Sequence, residues 1–137
     1  MKQRTLVILK PDCVRRGLVG EVISRFERKG LKILDMQFRE PHSEVIQAHY
    51  REHAERAFYA ELIDFMLEGP IVAMVLEGPW AIEVVRRLVG RTSAAAAGTI
   101  RGDFAAPTGC RNIVHASDST ESALAEIKLF FGYEEGR

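Results

Sequence analysis

Ile71-Val72-Ala73-Met74-Val75-Leu76 runs without a polar side chain between Pro70 and the turn residues Glu77-Gly78. Six apolar residues bounded by turn formers are too short for a helix. They predict a central strand, covered on a face and flanked by strands on both sides. Upstream lie two stretches of helical character only. One starts at Ser43 and runs through His53; the other spans Phe58 to Glu68, with Leu62, Ile63, Phe65 and Met66 as its apolar stripe and Gly69 as its stop. Downstream, Pro79 suits the first turn of a helix whose Ala81, Ile82, Val85, Leu88 and Val89 face inward and whose end carries Arg86 and Arg87.

Moving outward, residues 4–10 form a β-branched, apolar run stopped by Pro11-Asp12, a buried strand that points Lys10 outward. Val19, Val22, Ile23 and Phe26 recur at helical spacing ahead of Gly30. Leu31 to Phe38 reads as a strand whose alternation slips between Ile33 and Leu34, which predicts a bulge or burial on both faces. From Gly90 to Arg111, a segment that includes Pro107, no period is sustained, and a long loop is expected. A last strand over Asn112–His115 precedes Asp118, which with Glu121 fits a capping box for a helix that turns Ala123, Leu124, Ile127 and Phe131 inward. Strands separated by helices, with two helices between the second and third strands, fit an α+β ferredoxin-like sandwich, a four-stranded antiparallel sheet covered by helices, better than a long parallel sheet. The chain is expected to form a single domain over residues 1–137.

Nineteen basic and nineteen acidic residues cancel to a net charge of zero, so no global field recruits nucleic acid or an anionic membrane. Any anion site must be a local cluster. Cys13 and Cys110 are expected as free thiols in a reducing compartment. The apolar run Leu6–Leu9 is too short to span a bilayer, and a cytoplasmic protein is expected.

His115 ends an apolar run and directly precedes Ala116-Ser117-Asp118-Ser119. A strand end holds the backbone while its side chain faces a loop, a suitable place for a nucleophile; taken alone, such a histidine is more often a hydrogen-bonded structural residue. His49 and His53, four apart, could share a metal on one helix face, but no third ligand presents itself, and surface histidines are expected. Neither a Gly-x-x-x-x-Gly-Lys-Ser/Thr loop nor a Gly-x-Gly-x-x-Gly motif occurs. Phosphates would therefore need side-chain donors, and Lys10, Arg86, Thr92 and Arg101 offer point charge, bidentate forks and a hydroxyl.

Asn112-Ile113-Val114-His115-Ala116-Ser117-Asp118 resembles the signature of nucleoside diphosphate kinases. The resemblance continues through Thr5–Asp12, Arg15–Glu21, His49-Tyr50, Gly69-Pro70 and Gly98–Phe104, nearly the whole chain in the right order. It implies a ping-pong transfer in which His115, through a pros-phosphohistidine, passes the γ-phosphoryl group of a nucleoside triphosphate to a nucleoside diphosphate. It further implies that Glu126 orients the imidazole, that Ser117 hydrogen-bonds Glu126, and that Asp118 caps the last helix. Arg86, Thr92 and Arg101 would grip the phosphates, with Mg²⁺ held mainly by the nucleotide rather than by protein ligands. Lys10 and Asn112 would reach the ribose, Lys10 and Tyr50 would lie near the transferred group, and Phe58 would stack on the base. Because every base has a π face, broad base specificity follows. A homo-oligomer, tetramer or hexamer, is expected. Nucleic acid and membrane are not expected as partners.

The sequence departs from the family pattern in one region. Where members usually read Thr-Asn-Pro-x-x-Ala-x-Pro-Gly-Thr-Ile-Arg, this chain has Thr92-Ser93-Ala94-Ala95-Ala96-Ala97-Gly98, about two residues shorter and without either proline. Cys110 lengthens the segment before Asn112. Loss of proline is expected to make the loop more mobile, nucleotide binding weaker and any assembly less stable.

Overall fold

The computed structural model describes residues 2–106 and 109–132. Pro107 of the long loop lies outside them. In chain order the elements are β1 (Lys2–Leu9), α1 (Pro11–Arg15), α2 (Val19–Arg28), β2 (Lys32–Arg39), α3 (Ser43–His49), α4 (Tyr59–Met66), β3 (Ile71–Pro79), α5 (Ala81–Val89), α6 (Ile100–Phe104), β4 (Val114–Ala116) and α7 (Thr120–Phe131). A single 3-10 turn at Arg51–His53 follows α3. The sheet is four-stranded and antiparallel in the order β2-β3-β1-β4, a ferredoxin-like α+β arrangement.

The apolar run 71–76 is central, as its composition requires, and it is covered on both faces. Strand alternation sorts its side chains. Val72, Met74 and Leu76 join Val7 and Leu9 of β1 against Val22 and Phe26 of α2 and Val85 of α5. Ile71, Ala73 and Val75 join Leu6 and Ile8 against Ile46 of α3, Phe65 of α4 and Ile127 of α7. Two cores on opposite faces explain why these strands carry no polar alternation. Edge strand β2 has its irregularity between Ile33 and Asp35, where register with β3 shifts around Leu34. Beyond it, Met36 and Phe38 stand exposed.

Several boundaries differ from expectation for local reasons. β1 ends at Leu9, and Lys10 turns inward and is buried rather than pointing outward. Pro79 closes β3 instead of opening α5, because Trp80 adopts a left-handed conformation (φ 55°) that makes the corner before Ala81. The loop 90–111 contains α6, which Thr99 starts by accepting the Gly102 N–H at 2.9 Å. The capping box of α7 is Ser119 with Ser122, one residue later than the pair Asp118 and Glu121: Ser119 Oγ accepts the Ser122 N–H at 3.0 Å and Ser122 Oγ accepts the Ser119 N–H at 3.1 Å. Among the described residues, no helix is long and apolar enough to cross a membrane.

Candidate active site

Three segments meet at His115. β4 carries it opposite Ile8 of β1, the end of β1 delivers Lys10, and α7 brings Glu126 back beneath the strand. His115 Nε2 lies 3.0 Å from Glu126 Oε1, and Ser117 Oγ donates to the same oxygen at 2.7 Å. Ser117, fully buried, is itself fixed by the Leu6 N–H at 3.2 Å. A carboxylate oxygen only accepts, so the imidazole proton sits on Nε2. Nδ1 is left with the lone pair.

Asn112 and Lys10 form a second pair, Lys10 Nζ donating to Asn112 Oδ1 at 2.8 Å. Burial, reinforced by the Arg101 charge and opposed by Asp12, brings the Lys10 ammonium down to about 8. Between Asn112 and His115 the chain makes a turn that its residue types do not announce. Val114 N–H donates to Asn112 O at 2.8 Å around Ile113, whose φ is 74°. This is the strained form of the γ-turn, rare for a β-branched residue. Asp12 Oδ2 accepts the Ile113 N–H at 3.1 Å, and Ile113 O accepts the Lys10 N–H at 2.9 Å.

Lys10, Tyr50, Phe58, Thr92, Arg101, Asn112 and His115 line one cleft of about 460 Å³. Phe58 is 45% exposed beside His53, their rings 5.6 Å apart. Tyr50 is buried, and its hydroxyl, held protonated chiefly by that burial, has no partner among the described residues. Arg101 spends three of its five N–H groups on the backbone oxygens of Asn112, Gly90 and Val114, at 3.3, 3.1 and 2.6 Å. It therefore braces the site as well as charging it. Burial first and Arg86 second bring its guanidinium down to about 10.

Arg86 and Asp118 are not in that cleft. They line a neighbouring cavity of about 570 Å³ with Arg87, Arg91 and Thr99. The link between the two is Arg86 Nη1, which donates to Ala116 O at 3.2 Å, next to the histidine. Asp118 accepts from Ser122 Oγ at 2.8 Å and so supports the start of α7 without being its cap. That hydrogen bond, with Arg86 nearby, holds its carboxyl below the usual range.

His49 is placed otherwise than expected. It is not a surface residue sharing a helix face with His53: its ring packs edge-on against His115, centroids 4.5 Å apart, and against Tyr50 and Phe130 at 4.5 and 5.4 Å. Burial pushes it down to about 2, with His115 and Lys10 adding to the effect. Its i,i+4 relation to His53 drew attention to the wrong partner; its neighbour Tyr50 was the better signal. Asp12 and Ile113 were also missed. A Pro-Asp pair at a strand end was the available hint, since such a side chain accepts nearby N–H groups.

A cleft rich in cations and hydroxyls, closed by a histidine whose second nitrogen is fixed by a carboxylate, on a ferredoxin-like sheet, defines a class: enzymes that move phosphoryl groups. The nucleoside diphosphate kinase family profile matches residues 3–135. The chain is 56% identical to the nucleoside diphosphate kinase of Archaeoglobus fulgidus over 135 residues, 97% of this chain and 89% of that one. It is also 56% identical to that of Thermobifida fusca over 131 residues, 94% and 96% of the two chains. Among solved structures it resembles the nucleoside diphosphate kinase of Encephalitozoon cuniculi, with a TM-score of 0.91 at 39% identity over 96% of this chain and 90% of the other. The chain belongs to the nucleoside diphosphate kinase family and is a nucleotide phosphotransferase.

Proposed function

We propose that this chain transfers the γ-phosphoryl group of a nucleoside triphosphate to a nucleoside diphosphate in two half-reactions, with the phosphoryl group resting on Nδ1 of His115. The observation that carries the reading is the shared acceptor Glu126 Oε1, on which both the His115 Nε2 and the Ser117 hydroxyl converge. It holds the ring in the tautomer whose Nδ1 can attack phosphorus, and it stabilises the positive charge the ring gains as the N–P bond forms. The nucleoside diphosphate leaves with the electron pair of the broken P–O bond. In the second half the incoming diphosphate oxygen attacks the same phosphorus and returns the pair to Nδ1.

Lys10, Arg101 and Thr92 face the negative charge that spreads over the transferred group, with Arg86 approaching from the neighbouring cavity. Among the described residues, the cleft lining offers one carboxylate, Glu61, against Lys10 and Arg101. That donor set suits phosphates that bring their own cation better than a protein-built cation cage. Mg²⁺, bound mainly by phosphate oxygens, would supply charge neutralisation there. Phe58, half exposed at the rim, offers a face to any base, which supports broad specificity. The exposed Met36 and Phe38 on edge strand β2 support a homo-oligomer that covers them.

The test is to mix the protein with γ-labelled ATP and Mg²⁺ without an acceptor. An acid-labile, base-stable phosphoenzyme should form, discharge on addition of a nucleoside diphosphate, and be absent in His115→Ala. Absence of label while nucleotide still binds would replace the catalytic reading with that of a nucleotide-binding module.

A further inference from the structure

His49 poses a problem that phosphoryl transfer does not solve. Both of its ring nitrogens are buried without a hydrogen-bond partner among the described residues, a costly state for a polar ring. One ring nitrogen of His49, one of His115 and a carboxylate oxygen of Glu126 all lie within 4.8 Å of one another. We propose that His49, His115 and Glu126 form a binding site for a borderline transition-metal cation of the Zn²⁺ type, which holds the enzyme in an unphosphorylatable state.

Two imidazoles and one carboxylate with an open fourth position are a donor set that suits Zn²⁺ and is too soft for Mg²⁺. Around a tetrahedral Zn²⁺ at about 2.0–2.1 Å, ligand atoms stand roughly 3.4 Å apart. Nε2 of His115 and Oε1 of Glu126 already approach to 3.0 Å, so the adjustment falls mainly on the His49 ring. The site also has an entrance of its own. A cavity of about 240 Å³, whose lining includes His49, Glu52, Ser122, Glu126 and Leu129, reaches the donors from the α3–α7 side. His115 lines the nucleotide cleft instead. A cation can therefore reach the donors without passing the nucleotide, and Glu52 adds negative charge along the way.

The consequence follows from the tautomer. A metal on Nδ1 occupies the attacking lone pair directly. A metal on Nε2 displaces the proton that Glu126 holds there, and the neutral ring then carries it on Nδ1. In both cases the nucleophile is lost while the cleft stays open to nucleotide.

The proposal goes beyond the phosphoryl-transfer reading, and its test does not depend on that reading, because binding is measured without nucleotide. Chelator-treated protein is titrated with Zn²⁺ by calorimetry and with Co²⁺ by visible absorption. One metal per chain is expected, with the intense bands of four-coordinate Co²⁺. His49→Phe, which keeps an aromatic ring in the same packing, should weaken binding at least tenfold, whereas His53→Gln should not. In the unaltered protein, ¹⁵N spectra of the imidazoles should show Zn²⁺ shifting the His49 and His115 signals and leaving His42 and His53 in place, a readout that requires no variant to fold. Absence of stoichiometric binding, equal affinity in His49→Phe, or shifts confined to His42 and His53 would overturn the proposal.

Discussion

Asp12 holds the backbone of Ile113: its Oδ2 accepts the Ile113 N–H at 3.1 Å, two residues before the candidate nucleophile. Ile113 is fully buried with φ at 74°, a conformation that costs a residue with a Cβ about 1–2 kcal/mol. The same short segment grips the turn from its other side, where the Lys10 N–H meets Ile113 O at 2.9 Å. The end of β1 and the start of α1 thus position His115 through the backbone of Ile113.

Asp12→Ala should leave the Ile113 N–H buried and unpaired, at a cost of about 1–3 kcal/mol. A lower urea midpoint is expected, with kcat falling more than KM changes, because the turn that aims His115 relaxes. Asp12→Asn retains an acceptor oxygen and should recover most of the stability. An unchanged midpoint in Asp12→Ala would show that packing alone holds the turn.

Glu126→Ala removes the acceptor of two donors, His115 Nε2 and Ser117 Oγ. Rapid-quench measurement of phosphoenzyme formation should show a drop of roughly 10²-fold, with little change in triphosphate affinity, since Glu126 does not line the cleft. Glu126→Gln keeps an oxygen but not the charge and should fall between. A matching loss of affinity would mean that Glu126 shapes the cleft and not the tautomer.

The fold was legible because its strands are defined by short apolar runs between turn residues, and the bulge at Leu34 by a slip in alternation. His115 stood out as a strand-end nucleophile and Lys10 as a phosphate donor by residue type, but the roles of Glu126 and Asn112 were readable only through the resemblance, since a spacing of eleven between His115 and Glu126 states no contact by itself. What stayed hidden depends on backbone conformation or on distant packing. Nothing in Ile113 signals a positive φ, nothing in Trp80 signals a left-handed corner, and His49 meets His115 only after α3 is laid against α7. Arg101 reads as a phosphate ligand, yet much of its hydrogen bonding goes to three backbone oxygens that no local pattern reveals.

Lys10 sets a pH dependence. Its ammonium, ordinarily near 10.5, is brought to about 8 in the folded chain, so between these values the unfolded chain binds more protons. Stability of the nucleotide-free protein should therefore rise with pH across that window and fall again as pH drops through 8. Nucleotide binding has the opposite sign, because a phosphate favours the charged ammonium. Calorimetry in buffers of different ionisation enthalpy should show proton uptake on diphosphate binding at pH 8.5. Lys10→Met should abolish that uptake, and uptake that persists in the variant would assign it to another group.

Trp80 occupies the left-handed region at φ 55° while 55% of its surface is exposed. Asparagine tolerates that conformation far better than a bulky aromatic residue. Trp80→Asn should thus stabilise an isolated chain by about 1 kcal/mol, read as a rise in melting temperature. A fall instead would show that the indole makes stabilising contacts that outweigh its backbone strain.

The stretch from Ala96 to Asp103 in the loop carrying Thr92 is closely fastened. Thr99 Oγ1 donates to Ala96 O at 2.6 Å, Asp103 accepts the Gly98 N–H at 2.9 Å, and Arg25 pairs with Asp103 at 2.8 Å. Gly102 allows this closure, since a Cβ there would collide with the Ala96 carbonyl. All these contacts fall at or after Ala96, whereas Thr92 and Ser93 line the cleft ahead of Ala94, itself at φ 52°. Rebuilding the segment to the family's usual length, with its two prolines, should remove unfolded conformations at about 0.4–1 kcal/mol per proline and hold Thr92 against the phosphates. Diphosphate affinity should rise severalfold, and any oligomer the chain forms should dissociate at a lower protein concentration than before. Ala94→Gly, which relieves the backbone without shortening the search of the loop, should raise stability but leave affinity unchanged. If it raises affinity as much as the prolines do, strain at Ala94 and not loop freedom is what limits Thr92.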